Sequence, residues 1–128
     1  MIDNVSYGYP LSREDALKKI TIEFKSNQMI AIVGPSGSGK STLIDLLPRM
    51  RTPREGTIQF DEDNVEKISL KSLRQSIAYA PQFPQIFDGT IKNHILYGKS
   101  NATTKEVQEA IRIAGAEEFI NKLPQGIE

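Results

Sequence analysis

Apolar and polar residues alternate over residues 20–24, with Ile20, Ile22 and Phe24 in phase, which is the period of a half-buried strand. Ser26-Asn27 supplies a turn. Residues 29–33 (Met-Ile-Ala-Ile-Val) form a short continuous apolar run ending at Gly34, the pattern of a strand covered on both faces. Residues 40–47 then place Leu43, Leu46 and Leu47 at helical spacing, and Pro48 limits that helix. The order read is buried strand, glycine-rich loop, helix. A polar connector with Pro53 and Gly56 leads to a second alternating strand over residues 57–60. Ser69 is placed to cap a helix running through about Ser76. Residues 77–80 read as a short strand broken by Pro81, and residues 83–89 as a loop. Residues 90–97 read as a helix. Thr103-Thr104-Lys105-Glu106 has the Thr-x-x-Glu capping-box pattern, with Val107, Ala110, Ile111 and Ala114 following on one helical face. Residues 117–123 read as a further short helix.

Composition narrows the function. Sixteen basic residues balance sixteen acidic ones over 128 positions, which argues against nucleic acid as a partner bound through bulk charge. Without cysteine there is neither a disulfide framework nor thiolate chemistry, and with His94 as the one histidine a zinc site is not expected. The run over residues 29–33 is far too short to cross a bilayer, and Met1-Ile2-Asp3-Asn4 does not open a signal peptide. Any membrane link is expected to come from a partner or from further sequence.

The segment from Gly34 through Pro35, Ser36, Gly37, Ser38, Gly39 and Lys40 to Ser41 fits Gly-x-x-x-x-Gly-Lys-Ser. Its glycines let the backbone wrap a polyphosphate with N–H groups turned inward. The positive helix end near Lys40 adds to that field. Lys40 brings a charge to the β- and γ-phosphates, and the Ser41 hydroxyl can ligate Mg²⁺. Chance yields this pattern in about four of every thousand chains of this length. ATPases, GTPases and small-metabolite kinases share such a loop. A guanine reader would add Asn-Lys-x-Asp, whereas Asn121-Lys122 here continues as Leu123-Pro124.

Beyond this loop, the chain resembles the nucleotide-binding domain of an ABC transporter, in particular the exporter type. The resemblance runs through Val5-Ser6-Tyr7-Gly8-Tyr9-Pro10, residues 30–43, Gly56-Thr57-Ile58, Leu73-Arg74, Ala80-Pro81-Gln82, Ile86-Phe87 and Thr90-Ile91. It implies an α/β P-loop NTPase core with an N-terminal antiparallel β subdomain over residues 1–82 and the start of a helical subdomain over residues 83–128. It implies MgATP as ligand, with Tyr9 stacked on adenine, the loop from Gly34 to Thr42 on the phosphates, and Ser41 and Gln82 at the metal. Lys40 and Gln82 are the implied catalytic groups. Residues 83–87 would receive a transmembrane domain, and a second nucleotide-binding domain would complete an ATP sandwich at the cytoplasmic face of a membrane. For Phe83, Ile86 and Phe87 an exposed partner site and a fold back into the core both stand open.

There are departures from the family pattern. Gln28 and Asp61-Glu62 stand where the family usually has glycine and Asp-Gly, both in turns. The signature Leu-Ser-Gly-Gly-Gln, the Walker B strand and the switch histidine do not occur in these residues, so the chain is expected to be the N-terminal part of such a domain. Thr57 to Glu62 imitates a Walker B strand, but polar Gln59 breaks its apolar run. His94 is expected to be an exposed or capped side chain. Two rival readings are a P-loop nucleoside or small-metabolite kinase and a non-catalytic nucleotide-binding module.

Overall fold

In the computed structural model, which describes residues 1–128, the chain divides into two units, Met1–Ala78 and Tyr79–Glu128. The first is built on strand β1 (Ile2–Tyr7). β1 pairs antiparallel with β2 (Leu17–Ile22) on one side and β3 (Glu55–Phe60) on the other. A two-residue strand β4 (Asp63–Asn64) extends the far edge, giving the order β2-β1-β3-β4. The pairs Ile2↔Ile22, Val5↔Ile20 and Tyr7↔Leu17 are separated by register shifts, and Asn4 sits at φ 48°. This irregularity turns Ile2, Val5 and Tyr7 all inward although Ile2 and Val5 are three residues apart. Gly56 makes the close approach to it possible. At φ 83°, a Cβ on Gly56 would collide with the Asn4 carbonyl oxygen, where no side chain fits.

Helix α1 (Lys40–Leu46) and helix α2 (Leu70–Gln75) complete this unit. Leu43, Leu46 and Leu73 join Ile2, Val5, Tyr7, Leu17, Ile58 and Val65 in one buried cluster. Each such side chain contributes about 1.5–3 kcal/mol by leaving water. Ser69 caps α2 as its sequence predicts, accepting the Ser72 N–H at 3.1 Å. The connector after α1 is tied down by arginines. Arg49 donates to the carbonyls of Val65 (3.1 Å) and Ile68 (2.9 Å), and Arg74 to those of Pro48 and Arg49.

The second unit holds α3 (Ile91–Gly98), α4 (Thr104–Ile113) and α5 (Glu117–Asn121) around Val107, Ile111 and Ile120. The capping box of α4 is complete: Thr103 Oγ1 accepts the Glu106 N–H at 3.3 Å, and the Glu106 carboxylate accepts the Thr103 N–H at 2.7 Å. Lys99 reaches the same carboxylate at 2.6 Å. First Lys99, then the Thr103 N–H and hydroxyl, hold Glu106 down to about 2 from its ordinary 4.5.

Two expected strands are not strands. Residues 29–33 and 77–80 have no ladder partner, and without one an extended segment leaves its N–H and C=O groups to solvent. Met29 is fully exposed and Val33 is 86% exposed, while Ile32 and Ile77 still pack on the first core. The strand expected over residues 20–24 begins earlier, because Leu17 is the residue that buries. On α4, Val107 and Ile111 turn inward but Ala110 and Ala114 remain exposed, so the buried stripe is narrower than the four-residue pattern.

Candidate phosphate and base site

The glycine-rich loop curls around the lysine that follows it. Lys40 Nζ donates to the Gly34 carbonyl at 2.9 Å, the Pro35 carbonyl at 2.7 Å and Ser38 Oγ at 3.4 Å. Gly37 and Gly39 both lie at positive φ, 80° and 87°. Gly39 is also sterically required, since a Cβ there would lie 2.8 Å from both the Ala16 carbonyl oxygen and Leu17 Cδ2. Gly39 is the N-cap of α1, and no side chain caps that first turn. Ser36 and Ser41 are exposed, whereas Thr42 is buried.

Tyr9 lies just beyond β1 and retains 37% exposure. Its hydroxyl is 2.8 Å from Thr42 Oγ1, on the helix that begins at Lys40. Tyr7, at the end of β1, is buried and meets the Tyr9 ring edge to face at 5.3 Å. The Arg51 guanidinium lies 4.8 Å from the Tyr9 ring centre and 5.9 Å from that of Tyr7. Arg51 Nε donates to Asp45 Oδ2 at 3.0 Å, and an Nη1 donates to the Tyr7 hydroxyl at 3.3 Å. The Tyr7 hydroxyl first, and the Asp45 carboxylate second, push the Arg51 pKa above its ordinary value. Sequence reasoning passed over Arg51. It stands in a polar connector, and no motif marks a cation that lies over two rings.

The first unit thus brings Tyr9 and the loop residues Gly34 to Thr42 together around α1. Gln82 belongs to the second unit, exposed and outside regular structure. Near it, Phe83 and Ile86 are 80% and 86% exposed, so the open alternative resolves toward exposure. Phe87 is stacked on His94 at 6.0 Å, and a ring nitrogen of His94 lies 2.7 Å from the Phe87 carbonyl oxygen, so His94 is capped. The imitation Walker B segment is a strand of an antiparallel sheet, with Asp61 at φ 52° in the tight turn to β4. No helix is long and apolar enough to cross a membrane.

Residues 17–127 match the family model described as ABC transporter. Among curated proteins, the chain is 43% identical over 123 residues to an uncharacterized ABC transporter ATP-binding protein, YfiB, of Bacillus subtilis, covering 96% of this chain and 22% of that protein. It is 38% identical to ABC transporter B family member 21 of Arabidopsis thaliana, covering 99% of this chain and 10% of that one. Among solved structures it superposes on a bacterial Atm1-family ABC exporter with ATP bound, with a TM-score of 0.92 at 38% identity, over 98% of this chain and 22% of that one. It therefore spans between a tenth and about a fifth of the length of these relatives. The matched family, the P-loop geometry and the superposition agree: the chain belongs to the ABC transporter family, within the ATP-binding domain of its exporter-type members.

Proposed function

We propose that this chain binds ATP with Mg²⁺ through the loop from Gly34 to Thr42 and through Tyr9, and that its parent couples ATP binding and hydrolysis to transport across a membrane. One observation carries the reading. The Lys40 ammonium is drawn into the loop, where three oxygen acceptors already converge on it. Phosphate oxygens are stronger acceptors for an ammonium than neutral carbonyls are. In this reading the backbone of Gly34, Pro35, Ser36, Gly37, Ser38 and Gly39 wraps the phosphates and Lys40 holds the β/γ charge. Ser41 would hold the metal, which neutralises phosphate charge when bound, and Gln82 is the second ligand that the family resemblance implies. Hydroxyl, amide and phosphate oxygens would then form the donor set, and oxygen donors suit magnesium. Residues 1–82 serve as the β subdomain with the loops, and residues 83–128 as the start of the helical subdomain. Exposed Phe83, Ile86 and Phe87 face a transmembrane domain, and a second nucleotide-binding domain closes over the ATP.

Titration calorimetry with MgATP tests the binding. The wild type should bind, Lys40→Ala should lose most of the affinity, and equal affinities would remove the assignment. Turnover is a separate matter. Asp61 and Glu62 sit in a hairpin turn, and the family's Walker B carboxylates do not occur in these residues. Losing general-base catalysis removes about 10²–10⁴-fold. Phosphate release by the 128-residue chain is expected to match a Lys40→Ala control; steady release above it would point to a compact ATPase or kinase.

A further inference from the structure

We propose that Arg51 is a positioning residue for nucleobase binding: it fixes the Tyr9 ring in the frame of the P-loop helix. The inference rests on the reading of Tyr9 as the base platform. Tyr9 lies outside any strand or helix, so no ladder of hydrogen bonds sets its place. Its carbonyl accepts the Ser12 N–H at 2.9 Å and its ring meets Tyr7 edge to face, and two further links tie it to α1. Its hydroxyl meets Thr42, and Arg51 spans from its ring to Asp45. Thr42 and Asp45 are three residues apart on α1, hence on one face of the helix that starts at Lys40. The aromatic ring and the phosphate loop are thereby referred to the same short helix.

An arginine in a polar connector is ordinarily solvated and free. Arg51 instead directs its fork at Asp45 and the Tyr7 hydroxyl, and its side chain is only 35% exposed. A guanidinium can lie over a ring and bond a carboxylate in its own plane at once, which a lysine cannot do. Tyr9 keeps part of its surface open beneath this cover, so a base can still stack on it.

The test compares MgATP with inorganic tripolyphosphate, which has no base, on the 128-residue chain. Arg51→Met should weaken MgATP binding about threefold to tenfold and leave tripolyphosphate binding unchanged. Arg51→Lys should fall between, keeping a cation near the ring but losing the fork. In a Tyr9→Ala background, Arg51→Met should cost nothing further, the signature of coupling through the ring. Equal loss of both ligands would make Arg51 a general structural support and overturn the inference. So would Arg51→Met with wild-type ATP affinity while Tyr9→Ala is weakened. If Tyr9→Ala itself binds ATP undiminished, the base platform is elsewhere and the reading of Tyr9 fails with it.

Discussion

Among single residues, Lys40 and Tyr9 differ in how much of their task can be read from the sequence. Lys40 sits in a motif whose spacing already states its chemistry, and it does lie within the loop. The base-stacking role proposed for Tyr9 rests on resemblance, and its hydrogen bond to Thr42 is not legible in the sequence, because 33 positions separate the two. Arg51 carries no sequence signal; its part appears only once β1 and α1 bring Tyr7, Tyr9 and Asp45 to it. Stacking is tolerant of the base, at about 1–3 kcal/mol. Tyr9→Ala should therefore weaken ATP and GTP alike, by roughly tenfold, in competition titrations. Tyr9→Phe keeps the ring and loses one hydroxyl bond, so it should cost at most about 1.5 kcal/mol. A guanine-selective loss would mean that a hydrogen-bonding group reads the base.

For the elements, helices with side-chain caps were read most accurately. Ser69 and Thr103 mark the starts of α2 and α4 by local chemistry, which distant packing does not override. Strands fared worse because a strand exists only with its neighbour. The bulge in β1 breaks the alternation that would mark it in the sequence, and residues 29–33 have the composition of a strand without a partner. The α4 cap also makes a pH prediction. The Glu106 carboxylate has a depressed folded pKa, so its support for α4 is fully present above the unfolded value near 4.5 and is lost as pH falls toward about 2. Protection of the Thr103 amide, followed by NMR, should decline across that window. Glu106→Gln should remove the pH dependence while leaving the Thr103 side-chain cap in place. A wild-type amide indifferent to pH between those limits would contradict the cap described.

The whole molecule has two small cores and an apolar segment, residues 29–33, that gives only Ile32 to the first of them. Met29 and Val33 project into solvent immediately before the phosphate loop. Unpaired backbone next to exposed apolar side chains favours association with another chain. Sedimentation velocity on the 128-residue chain is expected to show concentration-dependent species larger than a monomer. Replacing Met29 and Val33 with serine should reduce them, and a strictly monomeric wild type with a cooperative melt would refute this. The position of that segment has a thermodynamic corollary. It runs directly into Gly34, whose carbonyl Lys40 holds, so whatever orders residues 29–33 also restrains one end of the phosphate loop. Covering the segment and occupying the loop are then linked equilibria with a single reciprocal coupling constant. A surface that pairs with residues 29–33 changes nucleotide affinity by some factor, and nucleotide changes the affinity for that surface by the same factor.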